Sequence, residues 1–230
     1  MREDFIRNNS LLWQIMSDRL LESSNLGGVG IASSQRLKAL IRDRSLVIGK
    51  QEFKLASGGR SNFFFDIKNL SFDPEGANLV ADAIMELLKD DEVDFIGGLE
   101  SGAIPIIAAV SVKSWLAGRP IPGFFVRKTA KERGTGKLIE GPLKEGSKVL
   151  IIDDVTTRGE SVLSAVREVR RLGCKADKVV TVVDRLEGAR ENLRGEGITL
   201  IPLYTRDDFS GQIPERPPAA MKRDDFREFG

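Results

Sequence analysis

Short apolar runs alternate with longer helical patterns between residues 93 and 204. The runs VDFIGG, KVLIID, KVVTVVD and GITLIPLY are rich in β-branched residues and do not alternate apolar with polar positions. Segments with helical periodicity, such as GESVLSAVREVRRLG, lie between them. Strands that are apolar on both faces are typical of parallel sheets covered by helices on both sides. We therefore predict an α/β fold with a central, mostly parallel sheet flanked by helices.

The carboxyl ends of these strands are the expected position of a ligand site. In open parallel sheets, ligands bind in the crevice outside the carboxyl ends of the strands, where the strand order switches. The loops after VDFIGG, GFFV, VLII and VVTVV should therefore form the rim of the site.

Three regions are predicted along the chain. Residues 1–52 form an N-terminal helical extension, in which residues 33–43 have a helical pattern after a connector rich in glycine and serine. Residues 53–205 form the core, and the long polar segment 127–147 lies within it. Residues 206–230 are rich in proline and charge and are predicted to be a surface tail.

The clearest single helix of the core follows Asp73. The sequence DPEGANLVADAIMELLKDD offers Asp73 as the N-cap, Pro74 as the first helical residue and apolar residues at helical spacing. It predicts an amphipathic helix beginning at Pro74.

Composition limits the chemistry that this chain can perform. Histidine is absent, which excludes Ser-His and Cys-His catalysis and histidine metal ligands. The net charge of +1 argues against a general nucleic-acid-binding protein. No apolar run is long enough to span a bilayer, no secretory signal is present, and the single cysteine fits a reducing compartment. We therefore expect a cytoplasmic protein with no nucleic-acid or membrane partner.

Two adjacent carboxylates end the strand in KVLIIDDVTTRGES, residues 148–161. Asp153 and Asp154 repel each other, so their pairing is unfavourable unless a ligand or several donors compensate the charge. The loop behind them has hydroxyls and a glycine and leads into a helix N-terminus, where backbone N–H groups can hold an anion. The pattern GxxxxGK[ST] is absent, which disfavours nucleoside-triphosphate chemistry of the P-loop type.

Positive charge is concentrated just before this strand. RKTAKERGTGK, residues 127–137, contains five basic residues and one acid in a nearly neutral protein. The connection from Arg127 to Lys148 also exceeds the about 4 to 6 residues that usually join two elements. It contains four glycines, so we predict a mobile basic lid.

The acid-pair segment closely resembles the phosphoribosyl-pyrophosphate (PRPP) signature of type I phosphoribosyltransferases, in which an apolar run precedes two acids and a loop of hydroxyls and glycine. The resemblance implies the fold of that family. It also implies that Asp153 and Asp154 accept the ribose hydroxyls while the following loop holds the 5′-phosphate. The implied PRPP-binding residues in this segment are Asp153, Asp154, Val155, Thr156, Thr157, Arg158, Gly159, Glu160 and Ser161.

The basic segment resembles the catalytic loop of orotate phosphoribosyltransferases. Arg127, Lys128 and Lys131 match that loop in order and spacing, which implies that they contact the pyrophosphate of PRPP. Arg133, also implied to bind PRPP, stands where many members have histidine and so loses a titratable group. The resemblance implies that Lys128 and Lys131 are catalytic, together with the acid pair.

Two further segments resemble the parts of that family that bind the base. In FKLASGGRSNFFFDIK, Phe64 and Phe65 match the pair that lies against the orotate ring. In VVDRLEGA, Arg185 matches the arginine at the carboxyl or carbonyl edge of orotate, and Thr157 is implied to be a second contact. The segment GGLESGAIP resembles the pyrophosphate loop, to which Glu100, Ser101 and Gly102 contribute as loop positions.

Taken together, these resemblances imply an orotate phosphoribosyltransferase of pyrimidine (UMP) biosynthesis, a glycosyltransferase that uses orotate and PRPP. They imply Mg²⁺ as a cofactor carried chiefly by substrate phosphates, with no metal site made of protein ligands alone. They also imply a homodimer with shared active sites. The alternatives are a phosphoribosyltransferase for another base such as adenine, a nucleic-acid-binding regulator that senses PRPP, and an inactive structural subunit.

Overall fold

The structure of the protein is a computed structural model that describes residues 29–54, 60–129 and 137–213. The chain divides into two compact units, Met1–Arg36 and Leu37–Gly230, and the sheet and the candidate site belong to the second. Most of the predicted N-terminal extension and most of the predicted tail lie outside the described residues.

The described chain contains eight strands and six α-helices. The strands are β1 (Leu46–Lys54), β2 (Arg60–Phe65), β3 (Phe95–Gly97), β4 (Phe125–Val126), β5 (Ile139–Glu140), β6 (Lys148–Thr156), β7 (Lys175–Asp184) and β8 (Thr199–Thr205). The helices are α1 (Val29–Leu40), α2 (Lys68–Ser71), α3 (Pro74–Leu87), α4 (Ala103–Leu116), α5 (Glu160–Arg171) and α6 (Ala189–Gly195).

Four strands form a parallel sheet in the order β3-β6-β7-β8. Residues 122–126 run beside β3 and extend its hydrogen bonding, since Phe124 N donates to Ile96 O at 3.0 Å and Val126 N donates to Gly98 O at 2.8 Å. All four strands therefore end at the same edge. This confirms the predicted mostly parallel sheet.

Apolar residues on both faces of the sheet explain why helices cover both sides. In β6, Leu150 and Ile152 pack in one core cluster, and Val149 and Ile151 pack in another. Successive side chains of a strand point to opposite faces, so the two clusters lie on opposite sides of the sheet. Helices α3 and α4 contribute to the first cluster and α5 and α6 to the second.

The helix predicted after Asp73 is confirmed as α3. Asp73 lies in the extended region, and its carboxylate accepts a hydrogen bond from Gly76 N at 2.9 Å. This bond satisfies one of the four N–H groups that a helix start leaves without an intrahelical partner. Pro74 follows as the first helical residue, where it has no N–H to satisfy.

Two regions differ in detail from the sequence prediction. The helix expected over residues 33–43 begins at Val29 as α1 and continues as a π-helical turn over Ile41–Ser45. The boundary placed between residues 52 and 53 lies within β1, which pairs antiparallel with β2. At the other end, Phe209 of a short 3₁₀ helix, Arg206–Phe209, is buried in the core.

Candidate active site

The acid pair lies near the carboxyl end of β6. Asp153 is buried, and its carboxylate accepts a hydrogen bond from Thr156 Oγ1 at 3.1 Å. Asp154 is partly exposed and accepts a hydrogen bond from Val155 N at 2.9 Å. The two carboxyl groups are close enough for Asp154 to act on Asp153.

Burial makes the charged form of Asp153 unfavourable. Burial first, and the charge of Asp154 second, raise the pKa of Asp153 from 3.8 to about 8. Near neutral pH the folded protein therefore holds a proton on this carboxyl that the unfolded chain releases. Between the two pKa values the native state binds more protons, so stability falls as pH rises through that window.

Replacing Asp153 with asparagine should remove this dependence of stability on pH. We expect wild-type protein to lose on the order of a few kcal/mol between about pH 5 and about pH 8. The Asp153→Asn variant should lose much less, because its amide does not titrate. Thermal unfolding followed at several pH values measures both slopes. The exposed Asp90→Asn is the control and should keep the wild-type slope; equal slopes for wild type and Asp153→Asn would contradict the assignment.

The loop after β6 surrounds a pocket at the start of α5. Gly159 has φ of +82°, a left-handed conformation that glycine adopts without strain, and it lets the chain turn into α5. The N–H groups of the first turn of this helix can therefore bind an anion. Seven of the predicted PRPP-binding residues line the pocket: Asp153, Val155, Thr156, Thr157, Gly159, Glu160 and Ser161.

A residue that the sequence did not suggest holds this loop in place. Asn192 of α6 donates a hydrogen bond from Nδ2 to the backbone oxygen of Arg158 at 3.0 Å. The exposed side chain of Arg158 does not line the pocket. Asn192 is more than thirty residues from this loop in sequence, so only the packing of α6 beside α5 reveals the contact.

Asp154 lies against the loop that follows β3. A Cβ atom on Gly102 would be 2.2 Å from Asp154 Oδ2, closer than two such atoms can approach. Glycine at this position therefore lets the loop and the acid pair meet. The peptide bond between Glu100 and Ser101 in the same loop is cis.

Replacing Gly102 with alanine should disturb this contact. Because the added methyl group would overlap the Asp154 carboxylate, either the loop or the side chain must move, and we expect a loss of about 1–3 kcal/mol in the free energy of unfolding. Urea denaturation measures this loss. Gly195→Ala is the matched control, because nothing lies within 4 Å of its added methyl group. Equal stability of the two variants would show that the site accommodates a side chain.

The short pair of β4 and β5 brings together the two sides of the basic segment 127–137 within the predicted lid 127–147. Phe125 pairs with Glu140 and Val126 with Ile139, and Arg127 N donates to the backbone oxygen of Leu138 at 2.8 Å. Arg127 is partly buried and Lys128 is exposed. The predicted contributions of Lys131 and Arg133 lie outside the described residues.

Arg185 is buried at the carboxyl end of β7. Its backbone N donates to Thr156 O at 2.9 Å, which joins it to the end of β6. The guanidinium donates to Ser61 Oγ at 3.2 Å and forms an ion pair with Glu187 at 2.9 Å. Its Cζ lies 4.6 Å from the centre of the Phe63 ring. A buried, planar cation next to the pocket is suited to a planar anionic group.

The three phenylalanines of β2 separate into two faces. Phe63 and Phe65 are buried on one face, while Phe64 is only partly buried. The ring of Phe65 packs 5.3 Å from that of Phe209, in the core. The structure thus brings Phe63 to Arg185, a contact that the sequence did not indicate, and the roles of Phe64 and Phe65 stay predictions.

Comparison with known proteins agrees with this geometry. A model of the phosphoribosyl transferase domain matches residues 66–197, more than half of the chain. An orotate phosphoribosyltransferase from Bradyrhizobium diazoefficiens is 46% identical over 182 residues, which cover 77% of this chain and 96% of that protein. The chain belongs to the orotate phosphoribosyltransferase family. The family and the fold predicted from the sequence are confirmed.

Two further members of the orotate phosphoribosyltransferase family show how far the likeness extends. The one from Methanocaldococcus jannaschii is 51% identical over 154 residues, covering 67% of this chain and 84% of that protein. The crystal structure of the Mycobacterium tuberculosis enzyme in complex with PRPP is 31% identical, with a TM-score of 0.65, and the match covers 77% of this chain and 99% of that one. Within the residues that the structure describes, this chain has no helix long and apolar enough to cross a bilayer.

Proposed function

We propose that this chain transfers the phosphoribosyl group of PRPP to N1 of orotate, forming orotidine 5′-phosphate and pyrophosphate in pyrimidine biosynthesis. The bond between ribose C1 and the pyrophosphate oxygen breaks, and its electron pair leaves with pyrophosphate. N1 of orotate forms the new bond to C1, and its proton passes to an oxygen of the departing pyrophosphate. The observation that carries the proposal is that the acid-pair segment and Arg185 meet at the carboxyl ends of β6 and β7. There the backbone N–H of buried Arg185 donates to Thr156 in the acid-pair segment.

The acid pair and its loop are suited to bind the sugar phosphate. Two neighbouring ribose hydroxyls need two acceptors, which Asp153 and Asp154 supply. The negative charge of a carboxylate near C1 also favours the positive charge that develops there as pyrophosphate leaves. Within the pocket, the loop from Thr156 to Ser161 holds the 5′-phosphate with hydroxyl and backbone N–H groups.

The basic lid completes the charge balance of the site. Pyrophosphate leaves with additional negative charge, and a cation that meets this charge stabilises the transition state more than the bound substrate. Lys128 and Lys131 have this role in the proposal, while Arg127 and Arg133 bind the same group. Closure of the lid excludes water, so that the ribose is transferred to orotate rather than hydrolysed.

Orotate is bound at the side of the site formed by β2 and the end of β7. Arg185 faces the carboxylate or carbonyl edge of orotate, and Thr157 makes a second contact. Phe64, whose side chain is partly exposed beside buried Phe63 and Phe65, offers an aromatic surface for the planar ring. Phe65 is the second phenylalanine proposed to bind the ring, and its own ring packs against Phe209.

The donor set of the site fits Mg²⁺ that arrives with the substrate. Mg²⁺ prefers oxygen ligands, keeps several waters and binds through one or two carboxylates plus substrate phosphates. Asp153 and Asp154 are carboxylates of this kind. Within the part of the chain that the structure describes, no group of three or more metal-ligating side chains comes together. When bound, the ion neutralises charge on the pyrophosphate group.

A homodimer with shared active sites is part of the proposal. Val112, Trp115 and Leu116 of α4 are 60%, 69% and 52% exposed, and they follow one another at helical spacing. An exposed apolar patch on a helix that begins directly after the Gly102 loop is suited to a second copy of the chain. Location in the cytoplasm stays a prediction from the sequence.

Replacing Trp115 with glutamate should separate the dimer. A charge in an apolar interface is unfavourable, so the variant should sediment as a monomer at concentrations where wild-type protein is a dimer. Leu172→Glu places the same charge at another exposed apolar residue and should leave the dimer intact. A Trp115→Glu variant that remains dimeric would place the interface elsewhere.

The experiment that tests the activity is a comparison of bases. Purified protein is incubated with PRPP, Mg²⁺ and either orotate or adenine, and the loss of orotate absorbance or the formation of adenine nucleotide is followed. We expect turnover of orotate only. Turnover of adenine alone would replace the proposed substrate, and PRPP binding without turnover of either base would favour a regulator that senses PRPP.

A further inference from the structure

We propose that Glu100 is a positioning residue for the transfer reaction, and this inference rests on the proposed function. Its carboxylate holds Lys128, the second residue of the basic lid, against the loop that follows β3. The side chain is thereby expected to set where the lid leaves the sheet and where the Lys128 ammonium reaches the departing pyrophosphate.

Two hydrogen bonds join Glu100 to the segment that leads into the lid. The backbone N–H of Glu100 donates to Val126 O at 2.8 Å. The backbone N–H of Lys128 donates to Glu100 Oε1, also at 2.8 Å. One residue of the loop therefore holds the lid segment at two points that are two residues apart.

The second of these bonds lies just beyond the end of regular pairing. Next to the β4–β5 pair, the backbone N–H of Arg127 donates to Leu138 O. The N–H of Lys128 is the next donor, and its partner is a side chain instead of a strand. The Glu100 side-chain oxygen thus takes the place that a strand carbonyl would have as acceptor at this point.

The same loop also contacts the acid pair. Gly102, two residues after Glu100, lies so close to Asp154 that a Cβ atom would be 2.2 Å from Oδ2. The loop thus contacts the acid at one position and the start of the lid at another. Glu100 therefore fixes the distance between Lys128 and the bound ribose. A displacement of about 1 Å between reacting groups lowers turnover by about 100-fold.

A carboxylate beside a pyrophosphate subsite is unfavourable for binding an anion, so its charge does not explain a glutamate at this position. Glu100 is partly buried, and one of its oxygens is directed to the Lys128 N–H. Its acceptor function, and not its charge, is what the proposal requires. A glutamine amide oxygen at the same position accepts the same bond without the negative charge.

The test compares Glu100→Ala and Glu100→Gln in full-length protein by steady-state kinetics with orotate and PRPP. We expect Glu100→Ala to lower kcat by between about 10-fold and about 100-fold, with little change in the KM for orotate. Glu100→Gln should recover most of the lost kcat. Thermal unfolding of each variant establishes that it is folded.

Asp94 provides a matched control at the opposite end of the sheet. Its backbone N–H donates to Lys148 O at 2.9 Å, and its carboxylate accepts from Lys148 N at 2.7 Å, so it too combines a backbone donor with a side-chain acceptor. If such bonds serve only stability, Asp94→Ala and Glu100→Ala should both lower the melting temperature and leave kcat unchanged. That result, or a Glu100→Gln variant as slow as the alanine variant, would overturn the proposal. Wild-type protein without orotate turnover would instead overturn the proposed function.

Discussion

Replacing Asp153 and Asp154 together with asparagine should abolish the binding of PRPP. Each acid is proposed to accept a hydrogen bond from a ribose hydroxyl, and leaving such a buried bond unmade costs about 1–3 kcal/mol. The loss of two such bonds should weaken binding by about 100-fold or more. Isothermal titration calorimetry with PRPP and Mg²⁺ measures this change directly.

The double variant should remain folded, which makes its binding defect interpretable. Burial of Asp153 and its nearness to Asp154 already raise the pKa of Asp153 to about 8, so a neutral amide suits this buried position. Asp94→Asn is a matched control, because it changes a carboxylate at the amino end of the sheet. If the double variant bound PRPP as tightly as this control, the ribose would have to be held by other residues.

Replacing Lys128 with alanine should lower kcat by about 100-fold to 1,000-fold, which is the usual effect of removing one group that stabilises transition-state charge. The KM for orotate should change little, because the lysine is proposed to act on the departing pyrophosphate and not on the base. Steady-state kinetics with each substrate varied in turn separates the two parameters. Lys131→Ala is expected to behave in the same way.

Lys144 provides the control for this experiment. It is an exposed lysine in the same connection between β4 and β6, and it has no proposed contact with substrate. Lys144→Ala should retain wild-type kcat, so that a general loss of positive charge is distinguished from the loss of a specific group. A Lys128→Ala variant with unchanged kcat would exclude this lysine from the reaction.

The order of strands and helices could be read from local pattern. Runs such as KVVTVVD have no polar face, and a strand without a polar face must be covered on both sides, which requires helices between parallel strands. The Asp73 cap is equally local, since the capping oxygen and the N–H that it accepts are three residues apart. These features depend on neighbours in the chain, and the sequence contains them in full.

The sequence predicted the site best where the site residues are consecutive. The pocket that extends from Asp153 to Ser161 belongs to one strand, one loop and one helix start, so a single motif predicted its lining. The residues that bind the base were harder to predict from the sequence. Alternation along β2 separates Phe63 and Phe65 from Phe64, but it does not indicate which of the two faces meets Arg185. The structure gives Phe63 that contact.

The sequence by itself determined the family, the parallel sheet and the position of the acid pair at the carboxyl end of β6, because each depends on short-range periodicity or on a contiguous motif. Only the tertiary structure decided that Glu100 holds Lys128, that Gly102 leaves room for Asp154, and that Arg185 is buried beside Ser61. The partners in these contacts are separated by 28 residues in the first case and by 124 in the last. Their meeting depends on how the strands are ordered and how the loops at their ends pack, which no local pattern specifies.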